Sequence, residues 1–315
     1  MYYNDSKMQQ KVSSPADYIV PIYVNGLNGR MLRMPAPKNK NREILFVYGH
    51  HSTLERWWGL IQVLNDYGAV TAPDLPGFGG MDSFYKIGKK PSLDAMADYL
   101  AAFIMMQYKR RRVSIAGLSF GFIVVTRMLQ RYPELAKKVD LLVSVVGFAH
   151  QDDFTFTRSR RSGYVLASRF FSRRLSSVFF RNILLYPPLL RGVYARTNNA
   201  KHKFKNTSKK EFNRLMDFEV HLWHVNDVRT HMATTVEMLT VNNCNAKIDL
   251  PVWHIAVAGE KYFDNNSVEQ HYRVIFKDFH MALSKLDNHA PSIIATKKEA
   301  ATLIPKEIRK VLSKK

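Results

Sequence analysis

The stretch that most constrains this chain is Arg112-Val-Ser-Ile-Ala-Gly-Leu-Ser-Phe-Gly121. Arg112 to Ala116 is short, bounded and rich in Val and Ile, as a strand buried on both faces should be. Gly121 to Tyr132 then carries Phe122, Ile123, Val124, Met128 and Leu129 at helical spacing and stops at Pro133. Between them, Gly117-x-Ser119-x-Gly121 has the composition of a sharp strand-to-helix turn. Such a turn pushes the serine hydroxyl out of the sheet, while glycines two residues on either side remove the Cβ atoms that would collide. The helix that follows aims its first N–H groups at the place where negative charge would develop on a substrate.

Around this stretch, strands and helices alternate. A strand over Tyr18–Val24, the turn Asn25–Gly29 and a return strand Arg30–Met34 come first. Glu43–Tyr48 is an apolar run suited to a central strand, ending in Gly49-His50-His51-Ser52. Ser52 and Glu55 have capping-box spacing, which predicts a helix over Thr53–Asp66. Then come a strand at Ala69–Ala72, the turn cluster Asp74–Gly80, an amphipathic helix from Ser92, the central stretch itself, and a strand over Val139–Val146. This order predicts an α/β fold, a mostly parallel central sheet with helices on both faces.

The alternation breaks near Gln151. From 154 to 210 there are nine Arg and five Lys and no acid, interrupted by pairs such as Phe170-Phe171, Phe179-Phe180 and Leu184-Leu185. Residues 151–247 are therefore expected to form a basic, mainly helical cap inserted into a core made of residues 1–150 and 248–315. The core resumes with a strand over Val252–Ala258, a helix near Val268–Phe276, a strand-like Phe279–Leu286 and a last basic helix from Lys297.

Charge is the unusual bulk property. Lys and Arg number 47 against 26 Asp and Glu, a formal net charge of +21. Such a balance favours contact with polyanions, nucleic acid or anionic lipid, unless it only solvates the surface or follows a proteome-wide bias. Lys201–Lys210 is basic but poor in the aromatics that stack on bases, which argues against nucleic acid. The single cysteine, Cys244, cannot form an internal disulfide and fits a reducing compartment. Met1–Gln10 is polar and unlike a secretory leader, and no apolar run has bilayer length. The expected location is cytoplasmic, with the basic cap allowing peripheral contact with a membrane surface.

With these parts in order, the sequence resembles the α/β-hydrolase superfamily outside the cap. The resemblance rests on the strand ending Tyr48-Gly49-His50, the turn Asp74-x-Pro-Gly-Phe-Gly79, the elbow Gly117–Gly121, the insertion after Val146 and a late Asn288-His289-Ala-Pro291. It implies a serine, an acid and a histidine in that chain order. Ser119 is then the nucleophile and His289 the base. The acid usually stands three residues after the glycine ending its strand, which here is Tyr262, a departure from the pattern. Asp264 is preferred, as a residue of the loop proper. Glu260 is the alternative, and Asp152 or Asp153 a third choice. The oxyanion hole would use the backbone N–H groups of Phe120 and His50, and His51 either lines the pocket or fills the turn.

The resemblance implies a serine esterase acting on a small-molecule ester or acyl substrate, with the cap selecting it, and the basic composition of the cap adds anionic lipid as a further expected partner. No cofactor or metal is implied. His221, His224, Asp227 and His231 lie on one side of an expected helix, but two turns is too wide a spread for one ion. The glycines of Pro76–Gly80 lack the Lys-Ser/Thr of a phosphate loop. Two other readings stay open: a catalytically silent fold whose basic cap binds lipid or nucleic acid, and a non-hydrolytic acyltransferase or lyase.

Overall fold

The computed structural model describes residues 13–196, 209–286, 289, 291 and 295–314. The polar stretch Met1–Gln10 and most of the Lys201–Lys210 run lie outside the described residues. Eight strands form one sheet in the order β1-β2-β4-β3-β5-β6-β7-β8. They are β1 Ile19–Val24, β2 Leu27–Met34, β3 Arg42–Val47, β4 Gly68–Pro73, β5 Val113–Leu118, β6 Val139–Val145, β7 Ile248–Ala256 and β8 Phe276–Leu283. The first two pair antiparallel as the Asn25-Gly26 turn predicts, and β2 pairs antiparallel with β4. From β4 through β8 every neighbouring pair is parallel, so these strands all end at one edge of the sheet.

Side-chain alternation along β5 assigns the helices to faces. Ala116 lines a small apolar gap with Leu60 and Leu64 of α1 (Trp58–Asn65) and with Ile304 and Ile308 near the C-terminus. Its neighbour Gly117 points the other way: a Cβ there would lie 2.8 Å from Cα of Phe122 in α3 (Phe120–Arg131). α2 (Leu93–Gln107), N-capped by Ser92, is coupled to α3 by ion pairs of Asp94 with Arg127 and Arg131. Both faces of the sheet are thus covered, and β3 and β5 are buried almost throughout.

Between β6 and β7 the described chain adds no strand to the sheet. It forms α4 Arg158–Phe171, α5 Arg174–Phe179, a π turn at Phe180–Leu184, α6 Pro187–Arg196, α7 Lys209–Val225 and α8 Val228–Leu239. After β7 come α9 Asn265–Ile275, β8, and two short helices, α10 Lys297–Ala300 and α11 Lys306–Ser313, parted at Pro305. No described helix is long and apolar enough to cross a membrane.

Two local expectations fail for physical reasons. The Ser52–Glu55 capping box does not form. Ser52 Oγ accepts the indole N–H of Trp57 at 2.6 Å, and Glu55 forms a two-pronged ion pair with Arg30. The segment starts as a 3-10 turn at Glu55–Trp57, and α1 begins only at Trp58. The histidines expected on one helix fall on two, because Asp227 accepts from Thr230 N–H and caps a new helix.

The tyrosine at position 48 serves the fold. Its hydroxyl donates to Asp74 Oδ1 at 2.7 Å and accepts from Leu75 N–H. Asp74 Oδ2 takes Arg30 Nε at 2.6 Å and Gly80 N–H at 2.8 Å. Asp74 is fully buried, and desolvation pushes its carboxyl up to about 6, with Arg30 and the three donors opposing the shift. Asp74→Ala would leave the Tyr48 hydroxyl and Gly80 N–H without an acceptor and one side of Arg30 unpaired. The expected loss is about 3–5 kcal/mol, read by urea unfolding at neutral pH. A loss under about 1 kcal/mol would mean that this turn does not depend on the carboxylate.

Candidate active site

Ser119 occupies the turn between β5 and α3 with φ 49° and ψ −117°, a strained conformation for a residue bearing a Cβ. Its N–H is held by Val145 O at 3.0 Å and its carbonyl by Phe122 N–H at 2.9 Å, so the backbone is pinned while the side chain is left for other work. Gly121 is obligatory here. A Cβ at that position would lie 2.3 Å from Val47 O and 2.4 Å from Tyr48 O, so the first turn of α3 abuts the end of β3. A Cβ built on Gly49 would come 3.4 Å from Cβ of Ser119, which puts the Gly49–His50 peptide beside the serine. Phe120 is the first residue of α3, where N–H groups have no intrahelical acceptor.

Glu260 and His289 emerge from the same edge of the sheet, in the loops after β7 and β8. His289 Nδ1 lies 2.6 Å from Glu260 Oε2. The Glu260 side chain is only 4% exposed. Burial alone would raise its pKa. The hydrogen bond and charge of His289, with the N–H groups of Tyr262 and Lys261, outweigh burial and hold the carboxyl below its usual value. A carboxylate can only accept, so Nδ1 of His289 donates a proton to Glu260 and Nε2 is the ring nitrogen turned away from the carboxylate. Tyr262 and Phe263 pack their rings on the imidazole at 5.3 and 5.4 Å.

Asp264, the acid preferred from sequence, is not brought to His289. It is the N-cap of α9, with Oδ1 accepting Ser267 N–H at 2.8 Å. The third choices are also occupied elsewhere. Asp153 is buried, accepts from Ala149 and His150 N–H, and pairs with His271, while Asp152 pairs with Arg161. β7 ends at Ala256, two residues before the expected Ala258, so position 260 is clear of the strand.

The other wall was missed from sequence. His50, His51, Trp223 of α7 and His231 of α8 form a ring cluster with centroids 4.1 to 4.9 Å apart (His51–Trp223, His50–His231, Trp223–His231, His51–His231). The loop after β3 is thereby joined to α7 and α8. Burial lowers the pKa of His50 to about 4, and those of His51 and His231 well below the ordinary value, so the cluster is uncharged at neutral pH. His50 Nε2 meets Thr234 Oγ1 at 2.8 Å. Gly79 N–H donates to Asn226 Oδ1, which turns the Asn226 amide NH₂ toward His51 Nδ1 at 3.2 Å. The proton of His51 is therefore on Nε2. That atom, Trp223 Nε1 and His231 Nδ1 are buried without a hydrogen-bond partner. The cluster thus holds two N–H groups, on His51 Nε2 and Trp223 Nε1, that are buried without an acceptor. His51, left open between lining and filling, sits in the turn after β3 with φ +52°, and its ring is part of the cluster. Among the described residues no group of three His, Cys, Asp or Glu side chains could hold a metal.

Comparison with solved structures gives the architecture a name. An esterase from Exiguobacterium antarcticum superposes with a TM-score of 0.65 at 10% identity, covering 94% of this chain and 99% of that one. The enol-lactonase from Burkholderia xenovorans gives 0.64 at 11% identity, with 94% and 100% covered. This chain has the α/β-hydrolase fold. A thermophilic esterase from Thermogutta terrifontis gives 0.62 at 16% identity, with 94% and 99% covered. No family profile matches the sequence, and no curated protein matches it. The α/β-hydrolase fold accounts for the edge at which Ser119, Glu260 and His289 emerge, and the chemistry has to be argued from those residues.

Proposed function

We propose that this protein is a serine hydrolase that cleaves a carboxylic ester through an acyl-enzyme. The observation that carries the reading is the His289–Glu260 pair, oriented with Nδ1 protonated, at the sheet edge where the strained Ser119 turn also ends. In this reading Ser119 Oγ attacks the ester carbonyl and His289 Nε2 takes its proton. The same proton goes to the leaving alcohol, and water activated by His289 then releases the acid. The backbone N–H groups of Phe120 and His50 stabilise the oxyanion, each such donor being worth about 3 kcal/mol in measured hydrolases. Residues 151–247 act as the cap.

The silent-scaffold reading drew its support from tyrosine at position 262, and Glu260 supplies a carboxylate two residues earlier. A fluorophosphonate probe tests the proposal. It should label the native chain at Ser119 and leave Ser119→Ala unlabelled. A folded native protein that stays unlabelled would overturn it.

A further inference from the structure

The surface of α4, α5 and the π turn combines two features that a protein facing only water has no reason to combine. The first is a run of exposed large apolar side chains at helical spacing. Leu166 (72% exposed) and Phe170 (52%) are four residues apart on α4. Leu175 (85%), Phe179 (49%) and Ile183 follow at the same interval through α5 and the π turn. Phe170, Leu175 and Phe179 share a groove of about 680 Å³ with Phe171, Arg173 and Arg174, so the two stripes meet in one patch. Isolated exposed leucines are ordinary, but a contiguous patch of this kind marks a contact surface.

The second feature is charge of one sign. Residues 154–196 carry nine arginines and no acid. Arg161 and Arg191 reach acids outside this segment's own sequence, Asp152 and Asp217. Arg169, Arg173 and Arg174 form no ion pair with any described residue. Two of them share the groove with the apolar side chains.

We propose that this face docks on an anionic phospholipid bilayer, with Phe170, Leu175 and Phe179 entering the interface and Arg169, Arg173 and Arg174 at headgroup level. Apolar side chains backed by arginine match the boundary between acyl chains and anionic headgroups. A nucleic acid would use the arginines but offers nothing to Leu166, Leu175 and Ile183. A second copy of this chain would bring like charges together. The proposal does not depend on the catalytic reading, because none of these side chains belongs to the Ser119 site.

Co-sedimentation of the full chain with vesicles tests it. Binding to phosphatidylcholine vesicles containing phosphatidylserine should exceed binding to pure phosphatidylcholine by about tenfold or more, and fall as salt rises. Leu175→Ser/Phe179→Ser should lose about tenfold of that affinity, and Arg173→Gln/Arg174→Gln a comparable amount with a weaker salt dependence. All these side chains are on the surface, so an unchanged thermal melt would show that the variants fold. Equal binding to both vesicle types, or variants that bind like the native chain, would overturn the proposal. So would tighter binding to duplex DNA unaffected by Leu175→Ser/Phe179→Ser, or self-association abolished by that pair without any vesicle binding.

Discussion

Ser119→Ala is expected to lower kcat on a short-chain aryl ester by about 10⁵- to 10⁶-fold, and Glu260→Gln by about 10⁴-fold. The second number carries more information, because it separates two carboxylates four residues apart. A neutral amide at position 260 can turn either its oxygen or its nitrogen toward His289, so the tautomer with Nε2 free is no longer imposed. It also removes the negative charge that would balance an imidazolium during the transfer. Asp264→Ala removes only an N-cap: kcat/KM should stay within about threefold of native, while stability falls by about 1 kcal/mol. Initial rates and urea unfolding on the same preparations check both halves. The reverse pattern, an active Glu260→Gln and an inactive Asp264→Ala, would return the acid to position 264.

The same pair shows where sequence stops being legible. The serine turn was readable because its constraint is local: a strand, two glycines and a helix are consecutive, and the close approach of α3 to β3 is written into Gly121. The parallel order of the sheet was readable for a similar reason, since alternation of buried strands and amphipathic helices leaves few topologies. The carboxylate that pairs with His289 was not, because an aspartate ahead of an amphipathic helix and an aspartate in an open loop look alike. The cue that separates them is that Asp264 opens α9 with Ser267 three residues on, a capping position, whereas Glu260 has no helix to cap. The histidine cluster was invisible for a different reason. His51 and Trp223 are 172 positions apart, and only folding of α7 and α8 onto the loop after β3 brings their rings together. The failed capping box at Ser52 is the same lesson on a smaller scale. Arg30, far away in sequence, outcompetes the local backbone for Glu55.

Buried neutral histidines give the largest expected effect on stability. His254 is 2% exposed, with Nδ1 3.0 Å from Ser144 Oγ, and burial takes its pKa down to about 3. His50 is lowered to about 4, and His51 and His231 well below their ordinary value, again by burial. In the unfolded chain all four titrate near 6.5. Between pH 6.5 and 4 the unfolded state therefore binds more protons than the folded one, and stability falls as pH falls. Asp74 acts in the opposite sense, since its folded carboxyl, raised to about 6, takes up a proton that the unfolded one does not until about 4. His50, His51 and His231 keep part of their surface accessible, so each counts for less than one full proton. The net uptake on unfolding near pH 5 is expected to be about two protons, a slope of about 3 kcal/mol per pH unit. Against a total stability of about 5–15 kcal/mol, that slope brings the fold close to its limit by pH 4.5. Urea unfolding in half-unit steps from pH 7 to 4.5, with calorimetric proton uptake, measures it directly. A midpoint that stays level over that range would mean that water reaches these four rings in the folded state.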